Sequence, residues 1–355
     1  MAVSSRTARR TVRRTTTRPV WVALAAVTAL VALGPPVPTL LLYLPFALSL
    51  LVLGLPHGAV DHLTLLRARG ATAEGGLWHL LHGETRDALA AVGVLYFVLG
   101  GVYLVGWLLA PAASFCLFVA LTWFHWGQGD LYVLVSLVEE THLRTRAQRA
   151  LALSVRGGLP MVVPLVAAPE QYRRVAASAV ATVDPGAAAA LDPLFTPTTR
   201  LVAGTGLLAL SVVALAVGSR RAPRTRPAWR LDALETGLLW AYFLLVPPIL
   251  AVGLYFCLWH SLRHVVRLEL LDARARDALA ASRSLPAFGR FSRDAVPLTA
   301  VALCLFVALA AFRPTGSAST LLGVYLVFLS LLTLPHVVVV TLLDRTQGVW
   351  RPGSA

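Results

Sequence analysis

Residues 233–270 read ALETGLLWAYFLLVPPILAVGLYFCLWHSLRHVVRLEL. The fold turns on whether this run is one helix or two. As a single straight helix rising about 1.5 Å per residue it would far exceed the thickness of a bilayer. Pro247-Pro248 supplies a break, because neither residue donates a backbone hydrogen bond. The run therefore divides into one span over 233–246 and another over 249–268. A kinked or re-entrant single segment is the alternative.

Similar runs recur on both sides. The chain has 355 residues, 57% of them hydrophobic and only 14% charged, and its mean hydropathy is +0.72. The other apolar stretches cover 20–33, 39–55, 88–109, 113–135, 151–166, 201–217, 295–311 and 321–343. They are rich in Leu, Ala and Val and lack period-two alternation, which favours helices over a barrel. The expected fold is an all-α, polytopic integral membrane bundle of about eight to ten transmembrane helices. Residues 1–18, with Arg6, Arg9, Arg10, Arg13, Arg14 and Arg18, read as a disordered basic cytoplasmic tail. Apolar spans follow with no clear small-residue cleavage site, so the first helix is read as retained rather than as a signal peptide. Residues 19–344 are then one transmembrane domain and 345–355 a cytoplasmic C-terminal tail.

The net charge is +14. Short basic clusters lying between apolar spans indicate positive-inside topology, not nucleic-acid binding. With the N-terminus inside, the split at Pro247-Pro248 places 58–87, 139–149, 219–230, 272–293 and 344–351 together on the cytoplasmic side of a cell membrane. Those segments hold most of the arginines. Merging the two spans would push 272–293 outside. Cys116, Cys257 and Cys304 all fall in apolar runs with no Cys-x-x-Cys, so neither a disulfide framework nor a thiolate metal site is indicated.

The same topology puts several histidines at one depth. His57 closes the second span, His125 lies in the cytoplasmic half of the fourth, and His260 and His264 lie in that half of the eighth. Residues four apart share a helix face, so both rings of His260-x-x-x-His264 can reach one ion. Ionisable residues deep in a membrane are costly and usually functional. His336 lies at a similar depth and is weighed as an accessory group. Helix bundles build metal sites from inward side chains at matched levels. Imidazoles alone suit zinc, copper, iron or nickel, although structural zinc would normally bring cysteine. Asp61 and Asp130, four and five residues beyond His57 and His125, are candidates for orienting an imidazole. The bland account of either is an interfacial carboxylate. His62, His79, His82 and His142 read as interfacial or loop residues, and Glu139 and Glu140 as a solvated face. Trp123, Phe124, Trp126, Tyr255, Phe256 and Trp259 are candidates to line an apolar cavity, or simply pack helices. Gly127 and Gly129 beside His125 leave room for a ligand or for close helix packing.

Together, Leu-Pro-His57-Gly-Ala-Val-Asp61-His62, Phe-His125-Trp-Gly-Gln-Gly-Asp130, Tyr-Phe-Cys-Leu-Trp-His260-Ser-Leu-Arg-His264 and Leu-Pro-His336 resemble the Brp/Blh family of membrane-bound β-carotene 15,15'-dioxygenases. The resemblance runs from about residue 38 to 342, with the motifs in the family's order. It implies that His57, His125, His260 and His264 hold an iron(II). It also implies cleavage of the central double bond of β-carotene by O2, giving two all-trans-retinal molecules, which serve rhodopsins. The tail 1–18 and the loop 219–230 lie outside the motifs that carry it. Two other readings compete. A two-metal membrane desaturase or hydroxylase would need more clustered histidines. A transporter or retinal-handling protein would use its histidines for transport or proton relay.

Overall fold

The computed structural model describes residues 2–71, 73–75, 82–138, 141–220, 226–312 and 316–351. His79, Glu139 and Glu140 lie outside them. The described residues form helices without strands. In chain order these are α1 (Ala2–Val12), α2 (Arg18–Leu33), α3 (Thr39–Leu51), α4 (Gly54–Gly58), α5 (Asp61–Ala68), α6 (Gly83–Leu109), α7 (Pro111–Tyr132) and α8 (Arg146–Ala167). There follow α9 (Pro169–Ala181), α10 (Pro197–Ser219), α11 (Arg226–Leu245), α12 (Pro248–Leu254), α13 (Leu262–Leu271), α14 (Ala273–Ala280), α15 (Ser284–Ala311) and α16 (Ala318–Thr346).

Among the described residues, eight helical stretches are long and apolar enough to cross a membrane. The chain is a multi-pass, all-α membrane protein. The run 233–270 is indeed broken at Pro247, which ends α11 with extended backbone (φ −51°, ψ 134°) and lets Pro248 start α12. Pro lacks the N–H that an interior turn would use, and the first turn of α12 does not need it.

Burial separates an inner set of helices from an outer one. The apolar window of Pro248–Leu271 is 78% buried, whereas that of Gly83–Leu109 is 6% buried. α8 packs on α7, α10 and α11, and α16 packs on α6, α7 and α9. Phe97, Leu109, Leu30 and Leu201 stand exposed on the outer helices. In water such a surface would be an unusually large apolar patch; in lipid it is matched to its surroundings.

α7 and α8 approach closely because Gly157 has no Cβ. One placed there would lie 1.9 Å from the Trp123 carbonyl oxygen, and a Cβ on Gly127 would lie 2.4 Å from that of Leu153. Gly127 thus serves helix packing. Gly157→Leu is expected to separate the two helices at a cost of about 1–3 kcal/mol or more. A lowered melting temperature of the detergent-solubilised protein would register it, and an unchanged one would show that the contact yields.

The N-terminal stretch departs from the disordered tail expected of it. Residues 2–12 are helical, and a widened turn at Arg13–Thr17 carries the helix on into α2. The cause is an apolar pair four residues apart within the arginine-rich stretch. Ala8 and Val12 are buried against Val266, Ala275 and Leu279. At the other end α16 runs to Thr346, and Val349 is buried. Arg149, expected in a basic loop, is instead buried, and donates to the carbonyls of Val349 at 2.6 Å and Arg351 at 2.9 Å.

Candidate metal centre

Four separate stretches of chain bring five histidines together. His57 sits in α4, a single turn between two breaks in the segmented helix 39–68. His125 projects from α7 and His336 from α16. His260 lies in a π-helical stretch, Tyr255–Ser261, and His264 in the first turn of α13. The π-helical stretch widens the turn between α12 and α13, and Tyr255, Phe256, Cys257, Trp259, His260 and Ser261 are all buried there. Such widened turns are frequent at functional sites. Gly129 faces His260, since a Cβ there would lie 3.4 Å from its Nδ1.

All five rings are buried. Ring centres are 4.6 Å apart for His125 and His260, 4.7 Å for His125 and His336, 5.0 Å for His57 and His336, and 5.2 Å for His264 and His336. Ligand atoms of His57, His125 and His336 lie within 4.8 Å of one another, as do those of Asp61, His264 and His336. His336, read from the sequence as accessory, stands inside the cluster.

The donor set suits a metal. The Nε2 atoms of His125 and His260 face each other at 3.0 Å. Two ligands at right angles around one ion, each bonded at about 2.1 Å, are separated by about that distance. Both ring nitrogens of His264 and Nε2 of His336 are buried with no hydrogen-bond partner among the described residues. Buried polar atoms are rarely left so. The outer nitrogens of two of the rings are held where a ligand would need them held. His336 Nδ1 donates to Asp61 Oδ2 at 2.7 Å, and His57 Nδ1 donates to the Leu53 carbonyl at 3.3 Å. Each bond leaves Nε2 as the lone-pair donor.

Asp61 therefore orients His336, not His57 as sequence spacing suggested. The breaks in segment 39–68, at 52–53 and 59–60, turn α5 out of line with α4. Asp61 also accepts from the Tyr96 hydroxyl at 2.6 Å. Arg67 anchors α5 through Asp294 at 2.5 Å and Asp272 at 3.2 Å. Burial alone would raise the Asp272 carboxyl; the Ala275 N–H and the Arg290 and Arg67 guanidiniums outweigh it and hold it below its ordinary value. Asp61→Ala is expected to weaken metal retention by about 10–100-fold. Metal content after dialysis against a graded chelator checks this, and retention equal to the parent protein would remove Asp61 from the centre.

Among the described residues, the polar partners of Asp130 are Trp259, Arg263 and Arg156 rather than a histidine. It accepts from Trp259 Nε1 at 2.9 Å and from Arg263 at 3.0 Å. It belongs to a buried charge cluster that the sequence did not reveal. Arg156 reaches Asp232 at 2.8 Å, Glu235 at 3.0 Å and Asp130 at 3.5 Å, while Arg263 also pairs with Glu235. His142, read as a loop residue, is buried with Nε2 3.0 Å from Asp232.

An apolar cavity of about 390 Å³ adjoins the cluster. His57, His125 and His336 reach its wall, beside Asp61 and His62. His62 is buried there. The α16 lining from Leu322 to His336 spans about 21 Å of helix. Of the six aromatic candidates, Trp126 and Phe256 line it. Trp123 packs on Gly157 and Gly158, and Phe124 faces outward. Tyr255 packs against Phe243 and Trp259, and Trp259 lies under Arg263 with the guanidinium 3.8 Å from its ring.

Fold and site together define a multi-pass membrane protein with a histidine centre at the head of an apolar chamber. Comparison with known proteins narrows the class. Residues 48–344 match the family model described as β-carotene 15,15'-dioxygenase. The chain is 43% identical to the probable β-carotene 15,15'-dioxygenase Blh of Halobacterium salinarum strain NRC-1, over 95% of each protein. It is 36% identical to the probable β-carotene 15,15'-dioxygenase Brp of Halobacterium salinarum strain R1, covering 86% of this chain and 84% of that one. No solved structure matches. The chain belongs to the β-carotene 15,15'-dioxygenase family and is an enzyme.

Proposed function

We propose that this protein is an iron-dependent dioxygenase that cleaves the central 15,15' double bond of β-carotene with O2, giving two all-trans-retinal molecules. The observation that carries the reading is the cluster of buried imidazoles opening onto a long apolar cavity. The relatives' names supply the substrate class.

Iron(II), held by His57, His125, His260 and His264 with His336 at the same locus, would supply the site at which O2 is activated. The chain's own part is to hold and shield. Trp126 and Phe256 wall the cavity beside His125 and His57, keeping water away and placing the polyene next to the imidazoles. The reaction breaks one carbon–carbon double bond and the O–O bond, and each aldehyde takes one oxygen. No proton is gained or lost overall, so no side-chain acid, base or nucleophile is needed. Asp61 fixes His336 and, through Tyr96, ties α6 to the centre. The enzyme lies in the cell membrane with its N-terminus cytoplasmic, and retinal released into the bilayer is available to a rhodopsin. Nucleic acid has no part in this account.

The test is expression in a β-carotene-accumulating bacterium. Loss of orange colour with formation of retinal is the expected result. Carotene left intact by well-expressed, iron-supplied protein would overturn the proposal and favour a transporter.

A further inference from the structure

The cavity is not fully enclosed. Leu89, Val92 and Gly93 of α6 line it on one side, and Leu298, Val301 and Leu305 of α15 on another. Val301 and Leu305 line the cavity and are 54% and 56% exposed. α6 packs on α5, α7 and α16, and α15 packs on α4, α13, α14 and α16, but the two are not closely packed on each other. Gly93 is exposed, and a Cβ there would meet nothing within 4 Å. Tyr96, one turn further on, is bonded to Asp61, which is bonded to His336. The opening therefore sits within about a turn of the depth of the imidazoles.

We propose that the gap between α6 and α15 is the lateral opening through which the carotenoid passes between the bilayer and the histidine centre, with Gly93 setting its width. This rests on the carotenoid-cleaving reading above. A carotenoid dissolves in the hydrocarbon core and has no route through water, so its entrance must face lipid at membrane depth. The walls of this gap are apolar and match such a molecule. The absence of a side chain at Gly93 leaves space where an extended polyene and its bulky end ring must slide past. A carotenoid whose central bond lies at the imidazoles needs room on both sides of them. The long lining toward Leu322 receives one half, and the gap lets the other lie toward the lipid.

The experiment compares Gly93→Trp with Gly101→Trp, using the full chain in carotene-containing membranes. Gly101 lies on the same helix, is exposed, has open space around it and does not line the cavity. Gly93→Trp is expected to slow β-carotene cleavage by at least about ten-fold, with iron content unchanged, while Gly101→Trp cleaves at the parent rate. Should Gly93→Trp fail to fold, Val301→Trp on the facing wall carries the same expectation. A Gly93→Trp protein that cleaves within two-fold of the parent rate overturns the opening and leaves the function standing. A parent protein that binds iron and cleaves no carotene overturns the function on which the opening rests.

Discussion

Replacing His260 by Ala is expected to release the metal and lower carotenoid cleavage by more than about a hundred-fold. His260 stands with its Nε2 3.0 Å from that of His125 and within a ring's width of His57. Its removal takes one imidazole from the cluster and leaves the facing His125 Nε2 without its hydrogen-bond partner. The packing loss is confined, because Trp126 and Phe256 still fill the wall beside it. The melting temperature should therefore change far less than the iron content. Metal analysis and cleavage rate measured on one preparation check this. Full iron and full activity in His260→Ala would remove this residue from the centre.

The second large effect concerns stability. Arg156 is fully buried and holds Asp232, Glu235 and Asp130 together from α8. Arg156→Met leaves Asp232 buried without its guanidinium partner, and Glu235 and Asp130 with Arg263 alone, a loss of about 3–5 kcal/mol in comparable buried pairs. A membrane interior offers no water to soften it. A sharp fall in folded yield and melting temperature is expected. Adding Asp232→Asn should recover part of the loss, because the two residues form one network. Parent-like stability in Arg156→Met would mean that these carboxylates do not depend on it.

What the sequence made legible follows from what is local. Spans rich in Leu, Ala and Val declare themselves, and the break at Pro247-Pro248 follows from the missing N–H. Histidines are few, and those inside apolar runs stood out, so His57, His125, His260 and His264 could be picked out one by one. Depth along a helix is also local, which is why these four were expected at one level. The direction a side chain takes is not. His336 shares that depth, but only the packing of α16 on α7 turns it into the cluster. Spacing joined Asp61 to His57 on a regular helix, and the breaks around α4 redirected it to His336. Trp259 and Tyr255 missed the cavity because a π-helical stretch, which no residue type announces, shifts the faces of that segment. Arg156 lies inside the 151–166 run, and nothing local announces its partners, because Asp232 and Glu235 arrive from another helix. Ala8 and Val12 were hidden by the surrounding arginines.

The proposed centre requires one ion shared by rings from four separate stretches of chain. Iron analysis of the protein purified without oxygen, beside a variant with His57, His125 and His336 all changed to Ala, tests that directly. Near-stoichiometric iron in the parent and none in the variant is the predicted result. A metal-free parent that still cleaves carotene, or a triple variant that keeps its iron, would contradict it.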